Sequence, residues 1–231
     1  MITDPGKEAF PRKFIDSGSK ELDTIIGGHL YSRSLVQFYG AAGTGKTQIL
    51  LSYCQSYDQN HKSKILFIDT QLKFRPERLL ELAKERNGES SILERIDVLE
   101  SDDPRRIYKT VRKACSEYTY GMICVDDLSE AFIRHGYDIK DTSMLALSAR
   151  ELSLWTMAQD KFALITDRVR FDPITRSEAP VGIRFTQNYT STLIHLQKRN
   201  GYFRAMNILT GKTARFKITK KGVEDVAPYR G

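Results

Sequence analysis

Four apolar runs constrain this chain more than any other feature: SLVQFY (34–39), KILFID (64–69), GMICVDD (121–127) and KFALITD (161–167). None alternates apolar with polar residues, so each reads as a strand buried on both faces. RIDVLE (95–100) reads as a further strand. Between them lie helical patterns: Thr47 to Tyr57, RPERLLELAKER with Pro76 suited to a first turn, Pro104 to Tyr118, and residues 141–159. Buried strands joined by helices imply a parallel sheet covered on both sides.

The flanks differ. Residues 1–13 read as a loose arm, followed by a short helix from Ser19 to Ile26 with Ser17 or Ser19 as cap and Gly27-Gly28 as stop. After Asp167, RVRFDPITRSEAPVGIRF is basic and carries Pro173, Pro180 and Gly182, so a long loop is predicted. YTSTLIHLQKRNGYFRAMNIL and TARFKITK then read as strands, with Asn200-Gly201 turning an antiparallel hairpin. The prediction is one α/β domain over 1–231, a mostly parallel sheet with an antiparallel C-terminal extension.

Composition narrows the function. No apolar run approaches the roughly 18 residues of a membrane span, and a cytoplasmic chain without membrane contact is expected. Cys54, Cys115 and Cys124 sit in apolar neighbourhoods without a CxxC pair, which points to buried thiols rather than a disulfide or zinc site. The net charge is +7, but residues 168–221 hold twelve Lys or Arg against Asp172 and Glu178 alone. Such a local excess favours a polyanionic partner.

Gly40, Ala41, Ala42, Gly43, Thr44, Gly45, Lys46 and Thr47 spell GAAGTGKT, which satisfies G-x-x-x-x-G-K-[ST] between an apolar strand and a helix. Glycines let backbone amides turn toward phosphate oxygens, Lys46 reaches the outer phosphates, and Thr47 is a magnesium ligand. Gln48 follows directly and is counted with this site. Magnesium also calls for a carboxylate at the end of a neighbouring buried strand, and Asp126 is that candidate.

These residues resemble the RecA/RadA recombinase core, most closely archaeal RadA paralogues of the RadB or RadC kind. SGSKELDTIIGG (17–28), FYGAAGTGKTQ (38–48), FIDTQLKFRPERL (67–79), MICVDDLSEAF (122–132) and FKITKKGVED (216–225) follow the family's order across nearly the whole chain. The resemblance implies a RecA-like P-loop ATPase core, ATP with Mg2+, single-stranded DNA as ligand, and homologous recombination and DNA repair as process. It implies the RadA recombinase, and other recombination proteins, as partners, with association to the nucleoid. It places Arg78, the second arginine of FRPER, on adenine; surface solvation is the alternative reading.

The departures from the family set the expectations. Family recombinases carry a glutamate after IDT that polarises the attacking water; here the position is Gln71, which cannot accept a proton. Asp127, directly after Asp126, is the alternative base. The family's T-N-Q is matched by Thr166-Asp167-Arg168, so Arg168 is expected to contact the γ-phosphate, to pair with Asp126 or Asp127, or to face DNA. The arginine-rich pattern of the first family DNA loop is absent from IRHGYDIKD, and the loop that covers a neighbour's ATP is missing between Leu209 and Arg215. No helix-hairpin-helix domain and no Phe-x-x-Ala linker are expected ahead of the core.

Arg168, Arg170, Phe171, Arg176, Arg184 and Phe185 interleave cations with rings, as single-strand binding requires. A solvated loop is the bland alternative. The expectation is an ATP-binding paralogue with feeble turnover that binds single-stranded DNA and modulates RadA. The alternative is a DNA-stimulated ATPase with strand-exchange activity; a KaiC-like signalling ATPase is a distant third.

Overall fold

The computed structural model describes residues 12–86, 91–134, 139–172 and 176–226. Most of the expected N-terminal arm, residues 1–11, lies outside them, as do residues 135–138 of the first family loop. Lys13, assigned to that arm, is held: its carbonyl accepts from Ser32 N at 2.8 Å. Beside it β1 (Phe14–Ile15) pairs antiparallel with β2 (Leu30–Tyr31), a ladder too short to register in the sequence. Between them α1 (Lys20–Ile26) starts at Ser19, whose side chain accepts from Leu22 N, and stops at Gly27.

The alternating series follows as predicted: β3 (Ser34–Gly40), α2 (Lys46–Asn60), β4 (Lys64–Asp69), α3 (Pro76–Glu85), α4 (Ile92–Arg95), β5 (Ile96–Glu100), α5 (Pro104–Ser116), β6 (Tyr120–Asp126), α6 (Glu130–Arg134), α7 (Ile139–Gln159) and β7 (Phe162–Asp167), with the short α4 and α6 as additions to it. Each strand feeds both cores because successive side chains face opposite ways. Val36 and Phe38, Ile65 and Phe67, Met122 and Cys124, and Phe162 and Leu164 face the layer with Ile49, Tyr53 and Leu82. Leu35, Leu66, Ile68, Ile123, Val125, Ala163 and Ile165 face Ile107, Val111, Leu152 and Trp155. At about 1.5–3 kcal/mol per fully buried large aliphatic side chain, this two-sided burial is what fixes the strands as central. The three cysteines are buried free thiols.

The segment after Asp167 departs from expectation. It is not a loop: β8 (Val169–Asp172) pairs antiparallel with β9 (Ser177–Pro180), and α8 (Ile183–Thr186) follows. Pro180 terminates its strand, and Gly182 lies where a Cβ would meet Asp167 Oδ2 at 3.0 Å. Proline at a strand end of a two-stranded ribbon leaves no ladder donor unmet, which is why its presence did not forbid a strand.

β10 (Thr192–Arg199), β11 (Tyr202–Asn207), β12 (Thr213–Thr219) and β13 (Gly222–Asp225) complete a sheet of order β13-β12-β11-β10-β3-β7-β6-β4-β5 among the described residues. From β10 to β5 neighbours are parallel; from β10 to β13 they are antiparallel. The parallel strands end in register on one edge, with Tyr39 opposite Asp167 and Asp69 opposite Asp126. That edge is where open α/β sheets place ligands. No described helix is long and apolar enough to cross a membrane.

Candidate functional site

The turn from β3 to α2 needs glycine for steric reasons. A Cβ on Gly40 would lie 2.5 Å from Leu196 O, and Gly45 has φ 91°, the left-handed region that favours glycine. Lys46 folds back over the turn, its Nζ donating to Gly40 O at 2.7 Å and Ala41 O at 3.1 Å, while Thr44 N and Oγ1 both donate to Ala41 O. Burial lowers the Lys46 pKa, opposed by the charges of Asp127 and Asp126. A cavity of about 380 Å³ lies over the turn, lined by Ala42, Gly43, Gly45, Lys46, Thr47, Gln48, Gln71, Lys73, Arg168 and Ile218.

Thr47 Oγ1 donates to Asp126 Oδ2 at 2.6 Å, and Thr166 Oγ1 donates to Asp126 Oδ1. The two residues expected at the metal thus meet across 79 positions of sequence. Burial raises the Asp126 pKa. A divalent cation would displace that proton preference, because it supplies the positive charge the carboxylate lacks. A hydroxyl and a carboxylate at this separation, beside an ammonium and a glycine turn open to the cavity at Gly43, fit magnesium with a nucleoside triphosphate.

A second cavity of about 610 Å³ continues from the first, sharing Thr47, Gln48, Gln71 and Lys73 and adding Leu51, Phe67, Phe74 and Arg78. Arg78 is not a solvated surface residue. Its Nε donates to Gln48 Oε1 at 2.8 Å and its NH2 to Thr219 O at 2.6 Å, and it pairs with Glu81. Tethered to Gln48 on α2 and to β12, it forms a fixed wall with Leu51 and Phe67.

Gln71 lines both cavities, on a turn made by Asp69. The buried Asp69 carboxylate accepts backbone N–H bonds from Gln71 at 2.9 Å and from Lys73 and Phe74 at 2.5 Å. Leu72 between them has φ 59°, a left-handed conformation that costs about 1–2 kcal/mol outside glycine. The Asp69 clasp offsets that cost and holds the Gln71 carboxamide, which accepts from Lys73 Nζ at 3.3 Å. Asp69, Lys73 and Ile218 were not singled out in the sequence; for Lys73 the only signal was its place two residues after Gln71.

Asp127 is fully buried and lines neither cavity, although its charge bears on Lys46 and its Oδ2 lies 3.9 Å from Arg168 Nε. Its Oδ1 accepts from Ser129 N at 3.1 Å and Ser129 Oγ at 2.8 Å. Burial, with repulsion from Asp167 and Asp126, pushes its pKa far above the carboxylate range. Asp167 is pushed up to about 6 by burial, against hydrogen bonds from Gly182 N among others.

Arg168 lines the first cavity and pairs inward, with Glu130 Oε2 at 2.7 Å and Asp127 Oδ2 at 3.9 Å. Of the pairings expected for it, that with Asp127 is present and that with Asp126 is replaced by Glu130. Nothing in the sequence marked Glu130 beyond its helical spacing from Arg134, which it also binds.

The expected DNA residues divide. Arg170, Phe171, Arg176 and Arg184 are exposed, with Phe171 65% accessible. Phe185 instead packs against the core beside α7, and Arg168 is ion-paired. Phe185 as an exposed stacking ring is therefore corrected: on α8 its position faces the sheet. The hairpin is pinned from below by Glu178, whose carboxylate meets His195 Nε2 at 2.9 Å, with the His195 ring stacked on Tyr39.

The Rad51 family profile matches residues 13–226. The chain is 28% identical over 225 residues to the DNA repair and recombination protein RadB of Thermococcus sibiricus, covering 92% of this chain and 95% of that protein. It is 31% identical over 222 residues to RadB of Methanococcoides burtonii, covering 90% and 96%. With the DNA repair and recombination protein RadA of Methanococcus maripaludis it shares 25% over 251 residues, covering 91% and 76%. The glycine turn with its paired threonine and aspartate, the nine-stranded sheet and these matches agree: the chain belongs to the Rad51 family.

Proposed function

We propose that this chain is a DNA repair and recombination protein that holds ATP and Mg2+ over the Gly40–Thr47 turn, hydrolyses it slowly, binds single-stranded DNA through the β8–β9 hairpin and modulates a RadA-type recombinase. Its similarity to DNA repair and recombination proteins supports the process. Magnesium, when bound, neutralises charge on the outer phosphates. Thr47 and Asp126 would hold the ion, Lys46 would exchange its loop carbonyls for phosphate oxygens, and Arg78, Leu51 and Phe67 would wall the base.

The observation that carries slow hydrolysis is Gln71. With Lys73 it is one of two side chains that the Asp69-clasped turn presents at the junction of the two cavities, and neither is a carboxylate. A carboxamide orients water but takes no proton, and general-base assistance is worth about 10² to 10⁴ in rate. Asp127 is an unsuitable substitute because it is buried, engaged by Ser129 and held toward its protonated form.

Steady-state ATPase of wild type, Gln71→Glu and Asp127→Asn, with and without single-stranded DNA, tests this. Slow wild-type turnover, raised about 10²-fold or more by Gln71→Glu and unchanged by Asp127→Asn, is expected. Brisk wild-type turnover abolished at Asp127 would establish the DNA-stimulated ATPase instead. Association with the recombinase is read by co-purification, repeated with Lys46→Ala.

A further inference from the structure

We propose that the outward face of α5 is a second nucleic-acid surface, a cationic ridge that holds the sugar–phosphate backbone of a DNA strand independently of the β8–β9 hairpin. α5 carries Arg105, Arg106, Lys109, Arg112 and Lys113 with no acid from Pro104 to Ser116. It is an island of five cations in a part of the chain that is otherwise acidic. Outside residues 168–221 there are 24 Lys and Arg against 27 Asp and Glu, so the overall charge distribution conceals it.

Local structure places the five together. Ile107, Val111, Ala114 and Cys115 are buried against β4, β6 and α7, which forces the intervening cations outward, and all five are exposed. From Arg105 to Lys113, eight rises of the helix, the ridge is about 12 Å long. Neighbours three and four apart stand about 5–6 Å from each other. A shallow cavity of about 590 Å³ runs along it, its charged lining made of Arg105, Arg106, Lys109 and Lys113 against Asp103 and Glu117 at its two ends.

The ridge is uncompensated. Lys113 meets Glu117 at 3.8 Å, but Arg105, Arg106, Lys109 and Arg112 make no ion pair among the described residues. Of the nearby acids, Asp102 is engaged by Arg134, Asp97 by Lys64 and Tyr120, and Asp103 by the backbone of Arg105, while Glu100 borders Arg106 without an ion pair among the described residues. Like charges at this spacing destabilise a helix by a few tenths of a kcal/mol per pair, so the arrangement is unfavourable until a polyanion meets it.

The chemistry favours a phosphate backbone over a protein. Protein interfaces centre on desolvated apolar or aromatic anchors, and the exposed positions of α5, which are cations and Ser116, supply none. A row of cations matches a polymer of phosphates better than a single anion, which needs convergent donors. The placement also suits a continuous strand: α5 and α8 both pack against α7, so the ridge and the basic hairpin flank it on one side of the sheet.

The test is fluorescence anisotropy with a labelled oligothymidylate of about 30 nucleotides, and a duplex of equal length, from about 0.05 to 0.3 M salt. The Arg106→Gln/Lys109→Gln/Lys113→Gln variant is expected to lose about 10- to 100-fold in affinity for one or both probes at 0.1 M salt. On the single strand its log–log salt slope should be shallower by about 2, at about 0.7 per lost contact. Its melting temperature and nucleotide affinity should match wild type; if the triple variant folds poorly, Lys109→Gln alone should show a slope change of about 0.7. Arg105→Lys/Arg106→Lys/Arg112→Lys keeps the charge and should bind within about threefold of wild type. Unchanged affinity and slope in the neutral variant would overturn the proposal. So would unchanged DNA binding with lost co-purification of the recombinase, which makes α5 a protein-docking face. An Arg170→Gln/Arg176→Gln/Arg184→Gln variant that binds like wild type would sink the hairpin reading and leave α5 standing.

Discussion

The glycine turn at Gly40–Thr47 and the basic hairpin lie on neighbouring strand ends, β3 and β7, yet they are held in opposite ways. From Gly40 to Lys46 the internal hydrogen bonds span six residues or fewer, with Lys46 closing on Gly40 and Ala41 and Thr44 on Ala41. The hairpin is anchored at distance: Arg168 to Glu130 on α6, Asp167 to Gly182, and Glu178 to His195 on β10. A local structure keeps its shape wherever a strand and a helix flank it. A structure anchored at distance takes its shape from the fold around it, and can be released one contact at a time.

The comparison is broken most sharply at Lys46. Lys46→Ala should lower ATP affinity about 10²- to 10³-fold by calorimetry while leaving single-strand binding by the hairpin within about threefold, because the charge-assisted phosphate contacts are lost and no distant anchor is touched. Gly40→Ala probes one of two places where the sheet presses on the turn, the other being Gly45 against Ile218 of β12. A Cβ at Gly40 would sit 2.5 Å from Leu196 O and 2.6 Å from Thr44 Oγ1, and overpacking of this kind should cost about 1–3 kcal/mol in denaturant melts. Glu130→Gln should leave Arg168 without its nearest carboxylate. The Glu130 side chain is 5% exposed and that of Arg168 44%, so the loss should be about 1–2 kcal/mol, less than for a pair buried on both sides. Glu178→Gln, with the acid 44% exposed, should cost under about 1 kcal/mol and be read best as faster amide exchange in β8 and β9.

Legibility followed the same division. The parallel strands were readable because two-sided burial demands unbroken apolar runs, and GAAGTGKT because phosphate chemistry demands those residues in that order. Gln71 could be located by its distance from IDT, but its presentation could not, since the Asp69 clasp and the left-handed Leu72 are backbone events without a composition signal. The segment after Asp167 was misread because Pro173, Pro180 and Gly182 look like loop punctuation. In a two-stranded ribbon Pro180 ends the ladder opposite Val169 and Gly182 caps the return. Phe185 was assigned to DNA from its place in a basic run, while the helical turn of α8 carried it to the core. The α5 ridge was hidden by averaging charge over long stretches.

What the sequence determined by itself is the chain's short-range chemistry: which segments must be buried, where a phosphate-binding turn must form, and that an amide stands where the family keeps an acid. These follow from side-chain polarity and from contacts a few residues long. Only the tertiary structure decided which acid Arg168 meets, that Asp127 is withdrawn from the cavity, that Thr47 reaches Asp126, and that five cations share one face beside α7. Each of these joins residues many positions apart or depends on which way a helix turns, and those distances are set by the closing of the sheet rather than by neighbours along the chain.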